Sequence, residues 1–221
     1  MRMKNITKLA DLFYSLAMDK EKLPENSKNK KTVLSNIDNL ENFKSRIDYA
    51  EKNFKHLSSG SSRVVFLTKD NTVIKLAKNE KGLAQNKAES NPKMKSKFLN
   101  KVLSKSKNDY WIEVNFLDKI TEKEFEKLSD MTFEDFSKCI SYALKKIDES
   151  KNKKPKNYDK IEKTDLFKEM KRLGNIFKLL PGDISRISSW GVKDKTPTLI
   201  DAGLTRSIYD KYYDSSSSSS S

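Results

Sequence analysis

The sequence predicts an α+β protein in which a small antiparallel sheet carries one helix and lies between helical segments. The main observation is a change of apolar period. Apolar residues step by three and four up to about residue 54, by two from Ser58 to Phe116, and by three and four again beyond Leu117. Helices and half-buried strands bury residues at those two different periods. The second observation is that polar turn-forming runs, such as Lys69-Asp70-Asn71, fall between the period-two segments. The third is length: 221 residues can bury one moderate core and nothing larger.

Taken in order, residues 3–18 set Ile6, Leu9, Ala10, Phe13, Leu16 and Ala17 on one side of a helix, followed by a polar loop around Pro24. Val33, Ile37, Leu40, Phe43, Ile47, Ala50 and Phe54 predict a second, longer helix with Thr32 as its N-cap. These two make an N-terminal helical extension over residues 1–56. Arg63-Val64-Val65-Phe66-Leu67 and Thr72-Val73-Ile74-Lys75-Leu76 read as a hairpin. A helix over about 80–90 ends before Pro92, and strands follow at 98–104 and 110–116. The expectation is one antiparallel sheet of five strands between Arg63 and Phe116, in a unit spanning residues 57–116.

Over residues 117–214, Thr121-x-x-Glu124 and Thr132-x-x-Asp135 mark helix starts, the first as a capping box. Helices are expected at 121–130, 133–149 and 164–179, then a loop over 181–189. A short strand at 190–192, a turn at 193–196 and the strand Thr198-Leu199-Ile200 lead into Asp201-Ala202-Gly203. The seven closing serines, 215–221, are of low complexity and cannot pack.

One cysteine, Cys139, excludes an intramolecular disulfide, and with His56 as the sole histidine the chain lacks the ligands of a protein zinc site. This suits a reducing compartment. The short apolar runs predict no membrane span, so the chain reads as cytoplasmic, in a host cell or a virion if the protein is viral. The net charge of +14 raises the question of nucleic acid. Residues 91–107 carry six lysines and no acid, and residues 145–178 carry twelve basic and six acidic residues. Lysine far outnumbers arginine and no aromatic stacking series accompanies it, so both stretches read as solvated surface. Nucleic acid is the least favoured partner.

The order of sheet with one helix, helices, and a strand ending in Asp-x-Gly resembles the protein-kinase-like superfamily. Ser58-Ser59-Gly60-Ser61-Ser62-Arg63-Val64-Val65 is similar to its glycine-rich loop with only the middle glycine kept. Thr72-Val73-Ile74-Lys75 is similar to its V-A-I-K strand, Pro181-Gly182-Asp183 to its catalytic loop, and Asp201-Ala202-Gly203 to its D-F-G motif. The last two lie 18 residues apart, an interval close to the family's. The resemblance covers about residues 57–208 and implies a two-lobed kinase-like fold with a truncated helical lobe. The chain is similar to compact kinase-like proteins of bacteriophages, whose chains also stop soon after an Asp-x-Gly-Leu-Thr segment.

The resemblance implies ATP and magnesium as cofactors. Gly60, Ser61 and Ser62 would approach the phosphates, Val65 and Val73 would sandwich the adenine, and backbone groups near Val114 would pair with its edge. Lys75 would hold the α- and β-phosphates, partnered by Glu89 with Gln85 as the fallback. Asp183 would address the acceptor hydroxyl, and Asp201 would chelate magnesium with Ser188. Each has a plainer reading: a serine-rich turn, an edge-strand lysine, a solvated helix glutamate, core valines, turn carboxylates. The departures from the family are Pro181 for the loop histidine, Ser188 for the metal-binding asparagine, Ala202 for the D-F-G phenylalanine, and no activation segment or peptide-docking helices after Gly203. Three functions therefore stand open: a minimal phosphotransferase of unknown acceptor; a pseudokinase or viral structural protein whose partner is a viral particle or host protein; and a basic nucleic-acid binder.

Overall fold

The computed structural model describes residues 29–144 and 153–214. The helix read over 3–18 and the serine tail lie outside the described residues. Where one helix was expected over 33–54 there are two, α1 (Lys30–Asn39) and α2 (Phe43–Glu51). The break has a local cause. Leu40 turns extended, and the Asn42 side chain captures the Ser45 N–H at 2.9 Å, which starts a new helix. Asn29 rather than Thr32 caps α1, accepting from Lys31 N. Carbonyls at the end of α1 are met by Arg46, which donates to Ile37 O and Leu40 O while its guanidinium lies over the Tyr110 ring.

The sheet follows as β1 (Lys55–Ser59), β2 (Arg63–Leu67), β3 (Thr72–Ala77), β4 (Val102–Lys105) and β5 (Trp111–Asn115), interrupted by α3 (Glu80–Glu89). Its order is β1-β2-β3-β5-β4, and every pairing is antiparallel. Five strands were expected between Arg63 and Phe116. Four lie there, and the fifth, β1, precedes Arg63 because Lys55 to Ser59 pairs back onto β2. The strand expected over 98–104 begins only at Val102, because Phe98 to Asn100 bond instead with Leu199.

Register separates the two faces. Val65 faces Lys75 and Leu67 faces Val73 across β2 and β3, while Ile112 and Val114 stand opposite Lys75 and Val73 on β5. The alternate residues Val64, Phe66, Ile74, Leu76 and Trp111 turn to the other face and form a core with Val33, Leu34, Ile37 and Ala50 of α1 and α2. The outer face is thereby closed. Asp38 accepts the Trp111 indole N–H at 2.9 Å, and Lys30 reaches the Glu113 carboxylate at 2.6 Å.

Beyond the sheet lie β6 (Asp118–Lys119), α4 (Glu122–Ser129), α5 (Phe133–Leu144), α6 (Tyr158–Ile161), α7 (Asp165–Phe177) and α8 (Pro181–Ile184). They are followed by β7 (Trp190–Lys193), β8 (Thr196–Leu199) and α9 (Arg206–Tyr212). Thr121, Thr132, Thr164 and Thr205 each accept a backbone N–H three residues on, which sets the starts of α4, α5, α7 and α9. The loop expected over 181–189 contains α8 and a single 3₁₀ turn, Ile187–Ser189. Strands β6, β7 and β8 make a second antiparallel sheet, with Asp194 and Lys195 both left-handed at the β7–β8 turn. A second core gathers Phe125, Phe136, Cys139, Ile140, Phe167, Met170, Leu173 and Trp190. No helix among the described residues is long and apolar enough to cross a membrane.

Candidate functional site

The inner face of the sheet, left open by α1 and α2, meets the end of β8 at a cluster of charges. Strand parity places Lys75 there beside Val73, and α3 brings Glu89 to it. Helix α3 can approach because residue 82 is glycine. A Cβ at Gly82 would fall 2.2 Å from the Ser62 carbonyl oxygen and 2.9 Å from Ala77 Cα. Asn79 caps the helix from Gly82 N. Asn86, fully buried, ties its middle to the carbonyls of Lys75, Asp109 and Tyr110.

Lys75 Nζ donates to Glu89 Oε1 at 2.5 Å and to the Ile200 carbonyl at 2.7 Å, and it lies 3.8 Å from Asp201 Oδ1. Arg63 completes the group. Its Nη1 donates to Glu89 Oε2 at 2.7 Å and its Nη2 to Asp201 Oδ1 at 2.6 Å. Cations and carboxylates thus alternate around a ring. Lys75, Arg63 and Glu89 are buried, whereas the Asp201 side chain keeps 54% of its surface exposed. Burial works against ionising Asp201, yet the charges of Arg63 and then Lys75, with hydrogen bonds from Arg63 and Gly203 N–H, hold its carboxyl well below the usual range. Gly203 allows this fit, since a Cβ there would sit 3.0 Å from Glu89 Oε2 and 3.2 Å from Arg63 Nη1.

Asp183 stands at the start of α8, half-buried and 3.4 Å from Arg186 Nη2. Burial, then the charge of Asp201, pushes its carboxyl up, against the pull of Arg186 and Arg63. The charge of Asp201 is thus felt at Asp183. Two carboxylates suit magnesium, which takes one or two of them together with substrate phosphates. Among the described residues no group of three or more His, Cys, Asp or Glu side chains could hold a metal by itself. Ser188 lies exposed in the 3₁₀ turn with no hydrogen-bond partner among the described residues.

The remaining predicted positions divide. Val65, Val73 and Val114 share the inner face with Ile112, and Leu57, Leu67, Val102 and Phe116 flank them as an apolar ceiling. Val114 differs from expectation in its backbone. Its strand is bordered by β3 and β4, so its peptide groups serve the sheet and are not available to a ligand edge. The next N–H past the strand, that of Phe116, already donates to Asn71 O. The serine hydroxyls also differ. Ser62 is buried and donates to Gln85 Oε1 at 2.8 Å, while Ser61 Oγ lies 3.4 Å from Tyr213 Oη. Gln85 is accordingly a loop anchor and not a partner of Lys75. It donates in turn to Tyr213 Oη at 3.3 Å, and Lys81 lies over the Tyr213 ring, so the end of α9 is fastened to α3.

Arg63, Asn86 and Tyr213 were not singled out from sequence. Arg63 was detectable, because period-two alternation puts it on the same face as Val65 and opposite Ala77, two residues beyond Lys75 on the neighbouring strand. No protein-family model matches the chain, and a search of curated proteins returns no significant match.

Proposed function

We propose that this chain is a compact kinase-like protein that binds ATP on the inner face of its sheet and transfers phosphate to an acceptor hydroxyl. The observation that carries the reading is the Lys75–Glu89 ion pair at 2.5 Å, formed where Lys75 also reaches the carbonyl of Ile200, the residue before Asp201. A lysine fixed between a helix carboxylate and the backbone just past a second strand is a positioned point charge, suited to phosphate oxygens. The apolar ceiling of Val65, Val73 and Val114 offers a flat ring a place to lie. Asp183, with its basicity raised, would accept the proton of the acceptor hydroxyl as its oxygen attacks the terminal phosphorus and ADP leaves. Magnesium is implied by this reading; Asp201 would hold it, with the Ser188 hydroxyl as the second ligand, and it would supply charge neutralisation to the phosphates.

The Arg63 contact favours a second reading, a pseudokinase or structural protein with the same fold. Arg63 occupies the position of the last loop glycine in the family pattern and holds Asp201 at 2.6 Å, so the carboxylate is already paired. Among the described residues, no buried side-chain nitrogen or oxygen lacks a hydrogen-bond partner. A ring so satisfied can serve as a lock between the sheet and β8 without any ligand.

Thermal unfolding with and without ATP and magnesium separates the two. ATP at about a hundred times its dissociation constant should stabilise the wild type by about 2.7 kcal/mol. Asp201→Asn should lose the magnesium-dependent part, and Asp183→Asn should keep binding but lose phosphate transfer. Absence of any ATP shift in the wild type would favour the lock.

A further inference from the structure

The lysines of residues 91–107, which the charge-ring proposal leaves without a role, do not spread over a flat surface. Lys95, Lys97, Lys101 and Lys105, joined by Lys193 from β7, line a cavity of about 790 Å³ between the end of α3, strand β4 and the β7–β8 hairpin. That volume lies within the range of about 300–1,000 Å³ usual for ligand sites. Its floor is apolar: Met94, Leu99, Val102 and Leu199 are buried or half-buried, and Leu103 is 44% exposed. The single acid in the lining, Glu89, is already neutralised by Lys75 and Arg63.

Three features narrow the occupant. The first is sign. Lys97 and Lys105 pair with Asp165 and Asp109, but no carboxylate of the described residues pairs with Lys95, Lys101 or Lys193, so the rim carries uncompensated positive charge. The second is the edge. Strand β4 is last in the sheet order, and no strand of the described residues pairs with its outer side. An unpaired edge presents alternate backbone donors and acceptors to an extended chain. The third is exposure along that edge, where Leu103, at a register shift, and Lys105 stand open, while Val102 goes to the inner face and Ser104 to Glu113. Edge lysines alone would be explained as protection against aggregation. Here they surround a cavity with an apolar floor, which protection does not require.

We infer that this cavity and the β4 edge form a docking site for an extended acidic peptide segment of a partner protein, in which carboxylates alternate with apolar side chains. The peptide backbone adds to β4, its apolar residues enter the floor beside Leu103, and its carboxylates meet Lys95, Lys101 and Lys193. A nucleic acid would use the lysines but has no use for the apolar floor or the strand edge.

The test is fluorescence anisotropy on the full chain without nucleotide, so that it succeeds or fails independently of the ATP proposal. The probe is a labelled peptide alternating glutamate with leucine and phenylalanine. The competitors are the same peptide with lysine for each glutamate and an oligothymidylate of equal charge. The glutamate peptide is expected to bind saturably and more weakly as salt rises. The triple variant K95E/K101E/K193E and the single variant Leu103→Asp, each with an unchanged melting temperature, should each weaken it by about tenfold or more, roughly 1.4 kcal/mol. Binding that neither variant alters, or no saturable binding, would overturn the assignment. So would oligothymidylate binding as tightly as the peptide and losing affinity only in the lysine variant, which would make this a nucleic-acid face.

Discussion

Replacing Glu89 by glutamine tests the centre of the molecule most directly. The carboxylate is shared by Lys75 and Arg63, and the three side chains keep only 4%, 8% and 7% of their surface exposed. Glutamine preserves volume but leaves two buried cations facing a neutral amide. Removing one member of a buried ion pair costs about 3–5 kcal/mol, because the partner charge stays desolvated. Two remaining contacts place this case near the lower end: Lys75 keeps the Ile200 carbonyl, and Arg63 keeps Asp201. The expected loss is therefore about 3 kcal/mol, or about 6–12 °C in melting temperature for a chain of this size. Asp201→Asn should lose no more than about 1 kcal/mol, since that carboxylate is half exposed and its pairing is screened. Urea unfolding can follow Trp111 in the sheet core and Trp190 in the helical core. The double variant K75M/E89Q should recover part of the loss by removing one of the stranded cations. A loss below about 1 kcal/mol for Glu89→Gln, or strictly additive losses in the double variant, would refute the claim that the ring is one coupled unit.

Three further outcomes follow from particular contacts. Gly82→Ala should destabilise by about 1–3 kcal/mol, because the new Cβ meets the Ser62 carbonyl and the Ala77 backbone, and the change should show in Trp111 fluorescence. Cys139 is fully buried and its thiol is pushed up to about 11, by burial first and then by Asp135, so thiol reagents at neutral pH should titrate it only at the rate of unfolding. Glu113 is held below its ordinary value: burial opposes ionisation, but hydrogen bonds from Lys30, Ser104 and Thr72 outweigh it. A depressed acid adds stability above its unfolded pKa and loses it as pH falls through the folded value, so between about pH 6 and about pH 3 the wild type should lose more stability than Glu113→Gln. Equal losses would remove Glu113 as the cause.

Much of this architecture could be read from periodicity, because period reports burial and burial was regular. The β2–β3 hairpin, α3, α4 and α7 fall within a few residues of where the steps of two and of three to four placed them. The differences fall where a polar side chain or a distant backbone partner outweighs the pattern. Asn42 offered a cap inside an unbroken apolar stripe, and the stripe continued across two helices. Phe98 looked like strand, but its carbonyl bonds to Leu199, a partner a hundred residues away that no local window contains. In the site, Lys75 and Glu89 were reachable from strand parity and helix spacing. Arg63 has the same parity, but the family pattern has a glycine there, and a serine-rich turn gives no local sign of a buried cation. Tyr213 had no local signal, since its role depends on how α9 returns to α3.

The cluster constrains how any phosphate could bind. Lys75 and Arg63 balance Glu89 and Asp201, so the ring is neutral before a ligand arrives, and a triphosphate would add several negative charges to a set already satisfied. Binding must therefore free a cation or bring one. The four members are not equally able to yield. Glu89 is buried and receives both cations, and Lys75 is held on two sides, from α3 and from the Ile200 carbonyl. Asp201 alone is half exposed, and it is held chiefly by one guanidinium arm. If the ring opens, it opens at Asp201, and the same movement that releases this carboxylate toward the cleft leaves Arg63 Nη2 without its partner and free to meet phosphate oxygen. In the phosphotransferase reading the two events are therefore coupled, and Arg63→Met should weaken ATP binding even though the family pattern assigns that position no charge. In the structural reading the ring stays closed, and the same substitution lowers stability without any nucleotide-dependent effect.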